Sequence, residues 1–539
     1  MKRIVALIAS LMLGAWVGAA PRPNIILFVT DDQSPIPIAA MKSRDARAFG
    51  FNGEKHVHTP VMDALARGGM VFTRAYVSSS VCSASRYSTL SGRYAGRSRG
   101  PSFQLLHPAG AMTRVENNTE LEEDLPNLPR LLRQAGYRTG FVGKCHVIDH
   151  RLLSGQRSDS PELQSYPKAA DPRDSDVSAK MKFNHDRWAR RIREFGFDYA
   201  NAVYAANLKE LENDTANVHN AEWTTAAALE FLDGKDERPF FLYYATTIPH
   251  GPAPWNNPGG RGVYPSGLDA DPAMTGEGYV QRGYSFMPSR DRIKREVKEA
   301  GKDVDHAWVR WLDAAMGALV EKLKARGQYE NTLIVVTSDH GAWRNGKATL
   351  YEGGVRVPLM MHWPAGIKAG SHCDELVQNI DHAPTLLELA GAPVPSSMHA
   401  DGASMVPLLK GERRAIHSHL FFELGFARGV MTRDWKYIAV RHDAATRRKI
   451  EAGHTFRGFK GNAMKADYYV RNKHLGHYSS AANPCYFDPD QLFHLPSDPH
   501  ELKNVAAKHS EIVGVLKDLL RADLATFQGR PFGEFAEAP

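Results

Sequence analysis

The chain has 539 residues, 43% of them hydrophobic and 24% charged, which excludes a disordered protein and suffices for one large domain with a smaller one. Its net charge of +7 favours an anionic partner. Four cysteines, Cys82, Cys145, Cys373 and Cys485, allow at most two bridges, so disulfides are not the main source of stability.

Residues 1–20 carry Lys2 and Arg3, an apolar run from Ile4 to Met12, and small residues through Gly18, Ala19 and Ala20. That order is the pattern of a secretory signal peptide. Export makes a polyanionic glycan the expected partner rather than nucleic acid, and the destination is the periplasm or the medium. No later segment has the roughly 18 consecutive apolar residues of a membrane span, so no stable membrane insertion is expected.

From Asn24 to Thr30 a near-continuous apolar run predicts a strand buried on both faces, ending in Asp31 and Asp32. Leu128, Leu131, Leu132 and Ala135 predict a helix stopped by Gly136; the strand Tyr137 to Val142 follows and leads into Lys144, Cys145 and His146. Residues 154–178 and 251–290 are rich in Ser, Asp, Pro and Gly and read as long loops. Pro239 to Thr246 is a third strand, closing on Pro249 and His250. The helical run Trp308 to Leu323 carries Asp313, to which no role is assigned. Thr332 to Thr337 is a fourth strand, closing on Asp339 and His340.

After Lys410-Gly411 the pattern changes to short strands, including His419 to Glu423 and Trp435 to Val440. Residues 441–487 mix aromatic and basic side chains (Arg447, Arg448, His454, Arg457, Lys460, Tyr468, Tyr469, His474, His477, Tyr478), which suit a sulfated sugar: rings stack on pyranose faces and cations meet sulfates.

Strands alternating with amphipathic helices imply an α/β fold with a mostly parallel sheet, in which ligands bind at the carboxyl ends of the strands. A polar residue after one strand is ordinarily a turn or a cap. Four such clusters of complementary chemistry on one rim argue for a site instead.

Cys82, Ser83, Ala84, Ser85 and Arg86, continued by Ser88, Thr89, Leu90, Ser91, Gly92 and Arg93, resemble the signature C-x-[PA]-x-R of formylglycine-dependent (type I) sulfatases. Asp31-Asp32, Gly143-Lys144-x-His146, Pro249-His250, Asp339-His340-Gly341 and Tyr351 to Pro358 resemble further sulfatase motifs in family order, and Leu492 to Val505 resembles the family's terminal pattern. The resemblance implies an alkaline-phosphatase-like α/β/α sandwich with a smaller C-terminal α+β subdomain built on an antiparallel sheet. The division expected is a signal peptide at 1–20, a catalytic domain at 21–414 and the C-terminal part at 415–539.

The resemblance further implies that a formylglycine-maturation enzyme oxidises Cys82, whose hydrated aldehyde then attacks sulfur. Asp31, Asp32, residue 82, Asp339 and His340 would hold calcium, with magnesium or manganese as alternatives; His340 stands where many family members have asparagine. Arg86 would orient the hydrate, Lys144 and Lys347 would touch sulfate, His250 would protonate the leaving alcohol while also binding substrate, and His146 would assist release of sulfate. Glu352 and Arg356 are read as packing and ion-pair residues. The reaction expected is hydrolysis of a sulfate ester on a carbohydrate, a glycosaminoglycan or algal polysaccharide fragment. The eight residues from Asp339 to Lys347, with His146 preceding a valine, also resemble sulfatases of N-sulfated glucosamine. Two other readings are a phosphonate monoester or phosphodiester hydrolase of the same superfamily, and a non-catalytic binder of sulfated glycans that keeps an unmodified Cys82.

Overall fold

A computed structural model of the protein describes residues 22–33, 57–148, 162–252, 267–341, 346–442 except 413, then 444 and 448, and 484–535 except 487. The expected signal peptide and most of the basic and aromatic positions between 441 and 487 lie outside the described residues.

The larger part of the fold is built on β1 (Asn24–Thr30), α1 (Pro60–Arg67), β2 (Met70–Phe72), α2 (Cys82–Ser91), α3 (Leu128–Gln134), β3 (Arg138–Lys144), α4 (Ser175–Arg193), β4 (Tyr199–Tyr204), α5 (Ala221–Leu232), β5 (Phe240–Ala245), α6 (Ala307–Ala325), β6 (Thr332–Ser338), β7 (Leu359–His362) and β8 (Ser371–Cys373). The eight strands form one sheet in the order β8-β2-β7-β6-β1-β5-β3-β4. Strand β1 runs parallel to β5 and β6, and β3 runs parallel to β5 and β4. Strand β7 alone is antiparallel to its neighbours β6 and β2. The carboxyl ends of β1, β3, β4, β5 and β6 therefore share one edge, as the alternating pattern predicts.

Burial on both faces explains the unbroken apolar run of β1. Ile25, Leu27 and Val29 enter one core layer with Tyr87, Leu131 and Leu387, while Ile26 and Phe28 enter the other with Trp308, Trp311 and Leu312. Each fully buried side chain of this kind stabilises the fold by about 1.5–3 kcal/mol. All four cysteines are buried and stand outside any disulfide. Among the described residues no helix is long and apolar enough to cross a membrane.

A second sheet of four antiparallel strands follows: β9 (Leu420–Leu424), β10 (Ala427–Met431), β11 (Trp435–Val440) and β12 (Asp490–His494). Helix α7 (Ser510–Ala525) covers it, packing Leu516, Leu520 and Leu524 against Phe421, Val430 and Tyr437. The sheet is anchored to the first part of the chain through Lys436 of β11. Its ammonium group is wholly buried and lies 2.8 Å from Glu352 and 2.9 Å from Glu501. Glu352 is thus an ion-pair residue, as expected, but its close partner is Lys436; Arg356 stands 3.8 Å away.

The two expected long loops are shorter than read. Asp174 caps α4 by accepting from the amides of Asp176 and Val177, which turns residues 175–178 into helix. Within 251–290, Met274–Thr275 pairs with Gly278–Tyr279 in a small hairpin held by the buried Met274.

Asp313 also finds a role. Helix α1 has no side-chain cap of its own, and the buried Asp313 carboxylate of α6 accepts from the amides of Met62 at 2.7 Å and Val61 at 3.3 Å. It is a cap supplied by a neighbouring helix. Asp313→Ala is expected to lower unfolding free energy by about 1–3 kcal/mol in a denaturant titration, since one buried and one half-buried donor lose their acceptor. Turnover below the unfolding range should be unchanged; lost turnover with unchanged stability would put Asp313 in the chemistry instead.

Candidate active site

The strand ends are stitched to one another before any functional side chain is placed. The Asp31 amide donates to Ile248 O at 3.0 Å, Asp339 to Thr30 O at 3.0 Å, and Gln33 to His340 O at 3.0 Å. Three residues here other than glycine take left-handed backbone, Asp32 at φ 64°, His146 at φ 56° and Ala348 at φ 64°. Such strain persists only where the surrounding bonds enforce it, and it concentrates at functional sites. Glycine serves the same rim where no side chain fits: a Cβ on Gly143, at the turn into Lys144, would stand 1.8 Å from Ala245 O.

Residue 82 opens α2, which is buried over its whole length despite its serines. Its polar atoms have partners: Ser83 Oγ donates to Glu116 O, Ser88 bonds Ser78, and the Asn379 amide donates to Ser85. Gly92 ends the helix at φ 68°. The Cys82 side chain, 1% exposed, therefore projects from a helix N-terminus, where the backbone dipole favours an anion.

Around it the expected residues converge. Ligand atoms of Asp31, Asp32, Cys82 and His340 all lie within 4.8 Å of one another. Cys82 Sγ is 3.2 Å from His340 Nε2, 3.8 Å from Asp31 Oδ1 and 3.7 Å from Lys347 Nζ. Lys144 Nζ donates to Asp31 at 2.5 Å, and Lys347 Nζ to Asp32 at 2.6 Å. Arg86, one turn after Cys82, holds Asp339 at 2.8 Å, donates to Lys144 O at 3.4 Å and lies 3.6 Å from Asp31. Asp339 in turn accepts from the Asp32 amide at 3.2 Å. His146 lies on the same rim at the end of β3, its amide bonded to Ala205 O at 2.8 Å.

These charges set each other's protonation. Burial alone would raise Asp31, but Lys144, then His250, Arg86 and Lys347, hold it well below the usual carboxylate range. Asp32 is lowered in the same way, chiefly by Lys347 against burial. Burial disfavours charge on Lys144, and Asp31 outweighs it, so the ammonium form is kept. Burial, then Lys347, pushes His250 down to about 3 against the pull of Asp32 and Asp31. Burial also opposes charge on His340, yet Asp339 and Cys82 lift it to about 9. Its Nδ1–H donates to Gly341 O at 2.9 Å, which leaves Nε2 facing residue 82.

The donor chemistry fits a divalent cation. Asp31, Asp32 and Asp339 offer buried, hard carboxylate oxygens, and His340 Nε2, 3.4 Å from Asp32 and 3.6 Å from Asp339, adds one nitrogen once it gives up its proton.

The family model for sulfatases matches residues 23–392. The chain belongs to the sulfatase family. As a sulfatase it is a sulfuric ester hydrolase, with the mostly parallel α/β sheet and C-terminal antiparallel sheet described above. A second model, for the C-terminal part of N-sulphoglucosamine sulphohydrolase, matches residues 339–446. This sulfatase is 25% identical to the N-acetylglucosamine-6-O-sulfatase of Bacteroides thetaiotaomicron over 87% of the chain and 88% of that relative. It is 27% identical to human arylsulfatase A over 95% of the chain and 90% of the relative. A solved structure described as bound to its substrate D-glucosamine-2-N,6-O-disulfate shares the fold with a TM-score of 0.56 at 20% identity, covering 95% of this chain and 99% of that one.

One member of the site escaped the sequence reading. Asn207 accepts from Lys144 Nζ at 2.8 Å, so the lysine is gripped between Asn207 and Asp31. The signal was a fifth strand, Tyr199–Tyr204, whose apolar end runs into Asn207 as the other four run into their polar clusters.

Proposed function

We propose that this sulfatase removes sulfate from a sulfated carbohydrate, with residue 82 carried as formylglycine and a divalent cation, calcium first, held by Asp31, Asp32, Asp339, His340 and residue 82. The observation that carries the reading is the buried convergence of Asp31, Asp32 and His340 on residue 82 with two lysines beside it. The carbohydrate is supported by the relative named N-acetylglucosamine-6-O-sulfatase and by the match to an N-sulphoglucosamine sulphohydrolase segment.

The Cys82 thiol stands in for the aldehyde hydrate of formylglycine, which would supply the attacking oxygen; the cation would supply Lewis-acid polarisation of a sulfate oxygen. The residues of the chain do the rest. Lys144 and Lys347 neutralise the same carboxylates that would hold the cation; relieved of that duty, their ammonium groups turn to the sulfate oxygens, where charge grows in the transition state. Arg86 fixes the orientation of Asp339 and Asp31. His250 donates Nδ1–H to Gly251 O at 2.9 Å and so presents Nε2 to the leaving oxygen. A bound sulfate anion raises the imidazole from its low resting value, and the proton gained there passes to the departing alkoxide. His146 serves sulfate release.

The catalytic unit we assign is 21–414, with 415–539 completing its wall, in a protein exported after removal of residues 1–20 and served by a maturation enzyme that modifies Cys82. The test is mass spectrometry of the peptide containing residue 82 from the native host, with rates on glucosamine 6-sulfate, N-sulfoglucosamine, an aryl sulfate and an aryl phosphonate. An aldehyde with release from a sulfated sugar is expected. A stable thiol without turnover overturns the reading in favour of a glycan binder, and dominant phosphonate turnover in favour of a phosphonate hydrolase.

A further inference from the structure

Helix α5 is preceded by His219, a fully buried histidine that belongs to none of the motifs. Its Nε2 lies 2.9 Å from His250 O and 2.9 Å from Pro252 O, and its Nδ1 lies 2.8 Å from Thr247 Oγ1. Carbonyl oxygens only accept, so Nε2 carries the hydrogen and shares it between the two carbonyls, while Nδ1 accepts from the threonine hydroxyl. One imidazole thus ties residues 247, 250 and 252 of a single turn. Its own mooring is firm: Asn220, next in the chain, caps α5 by accepting from Trp223 and donates to Pro272 O and Met274 O at 2.8 Å each. The turn it grips reaches into open space, for a Cβ on Gly251 would meet nothing within 4 Å.

The hydrogen bond that sets the His250 ring, Nδ1–H to Gly251 O, uses a carbonyl lying between the two that His219 holds. Rotating the peptide planes of this turn would carry the Gly251 carbonyl, and with it the ring, away from the leaving oxygen. We propose that His219 is a positioning residue that fixes the His250 ring by clamping the backbone on both sides of Gly251; the inference rests on the reading of His250 as the group that protonates the leaving alcohol. Burial pushes His219 down to about 4, so the neutral ring with Nε2–H persists over the working range of pH.

The experiment is a leaving-group series, 4-nitrophenyl, phenyl and 4-methoxyphenyl sulfate, on wild type, H219A, H219Q and H250A. Loss of proton donation hurts poor leaving groups most. H219A is expected to reduce kcat on phenyl and 4-methoxyphenyl sulfate by about 10- to 100-fold, with less than about a threefold loss on 4-nitrophenyl sulfate and little change in KM. H219Q, whose amide N–H can reach the same carbonyls, should recover most of the loss. A wild-type slope in H219A, or H219Q as impaired as H219A, overturns the clamp. If H219A does not fold, H219Q is compared with H219N, whose shorter amide falls short of the carbonyls; equal slopes overturn it. Absence of any steepening in H250A defeats the acid assignment itself, independently of His219.

Discussion

Cys82→Ala should abolish sulfate release, lowering kcat/KM by about 10⁴-fold or more, while the protein keeps its fold. Residue 82 touches two would-be metal ligands, His340 Nε2 at 3.2 Å and Asp31 Oδ1 at 3.8 Å, as well as Lys347 Nζ at 3.7 Å, and alanine offers no heteroatom there. The helix tolerates the change, because alanine is the best helix former and only one sulfur is removed from a buried position, at a cost of about 1 kcal/mol. Comparison of single-turnover rates with thermal unfolding separates the two effects. A variant that retains more than about a tenth of the wild-type rate would rule out residue 82 as nucleophile.

The largest stability effect is expected at a distance from the chemistry. Lys436→Met leaves the buried Glu352 and Glu501 facing each other with Arg356, 3.8 Å from Glu352, as the nearest cation left, and removal of one partner from a buried ionic group typically costs about 3–5 kcal/mol. The wild-type protein already carries a trace of this conflict. Burial, then Glu352 against Lys436, pushes Glu501 from 4.5 up to about 7. A carboxyl group raised in the folded state binds protons there that the unfolded chain has released; its favourable contribution is complete below 4.5 and is lost as pH rises through about 7. In Lys436→Met the missing cation raises the carboxyl further. The drop in Tm should therefore be largest at pH 8 and smallest near pH 5. A Tm deficit independent of pH would show that packing of the lysine stem, rather than its charge, matters.

What was legible in the sequence was what repeats: apolar runs that end in polar clusters. β1, β3, β5 and β6 lie close to where their patterns put them, the clusters after β1, β3 and β6 meet, and His250 after β5 acts electrostatically on Asp31. What was not legible depends on partners remote in the chain. Asp313 looks like a stray acid in an apolar helix until α1, some 250 residues earlier, is seen to need a cap. Glu352 looks paired with Arg356 one turn away, whereas its nearest cation arrives from β11. His219 sits in no motif, because its work is done on backbone carbonyls that any residue could supply. The left-handed conformations of Asp32, His146 and Ala348 likewise have no glycine to announce them.

The burial of Cys82 carries a consequence for timing. With 1% of the residue accessible, at the head of a helix buried over its whole length and walled by segments as far along the chain as Lys347, that side chain is closed to a modifying enzyme once the sheet has closed. The enzyme proposed to convert it would have to meet residues 82–86 as an extended peptide. Under the maturation proposed above, every finished molecule would record a race during synthesis between that modification and the arrival of residues 332–347. Slowing translation beyond residue 100 or delaying folding should raise the modified fraction, and faster folding should trap thiol that no later treatment can rescue without unfolding.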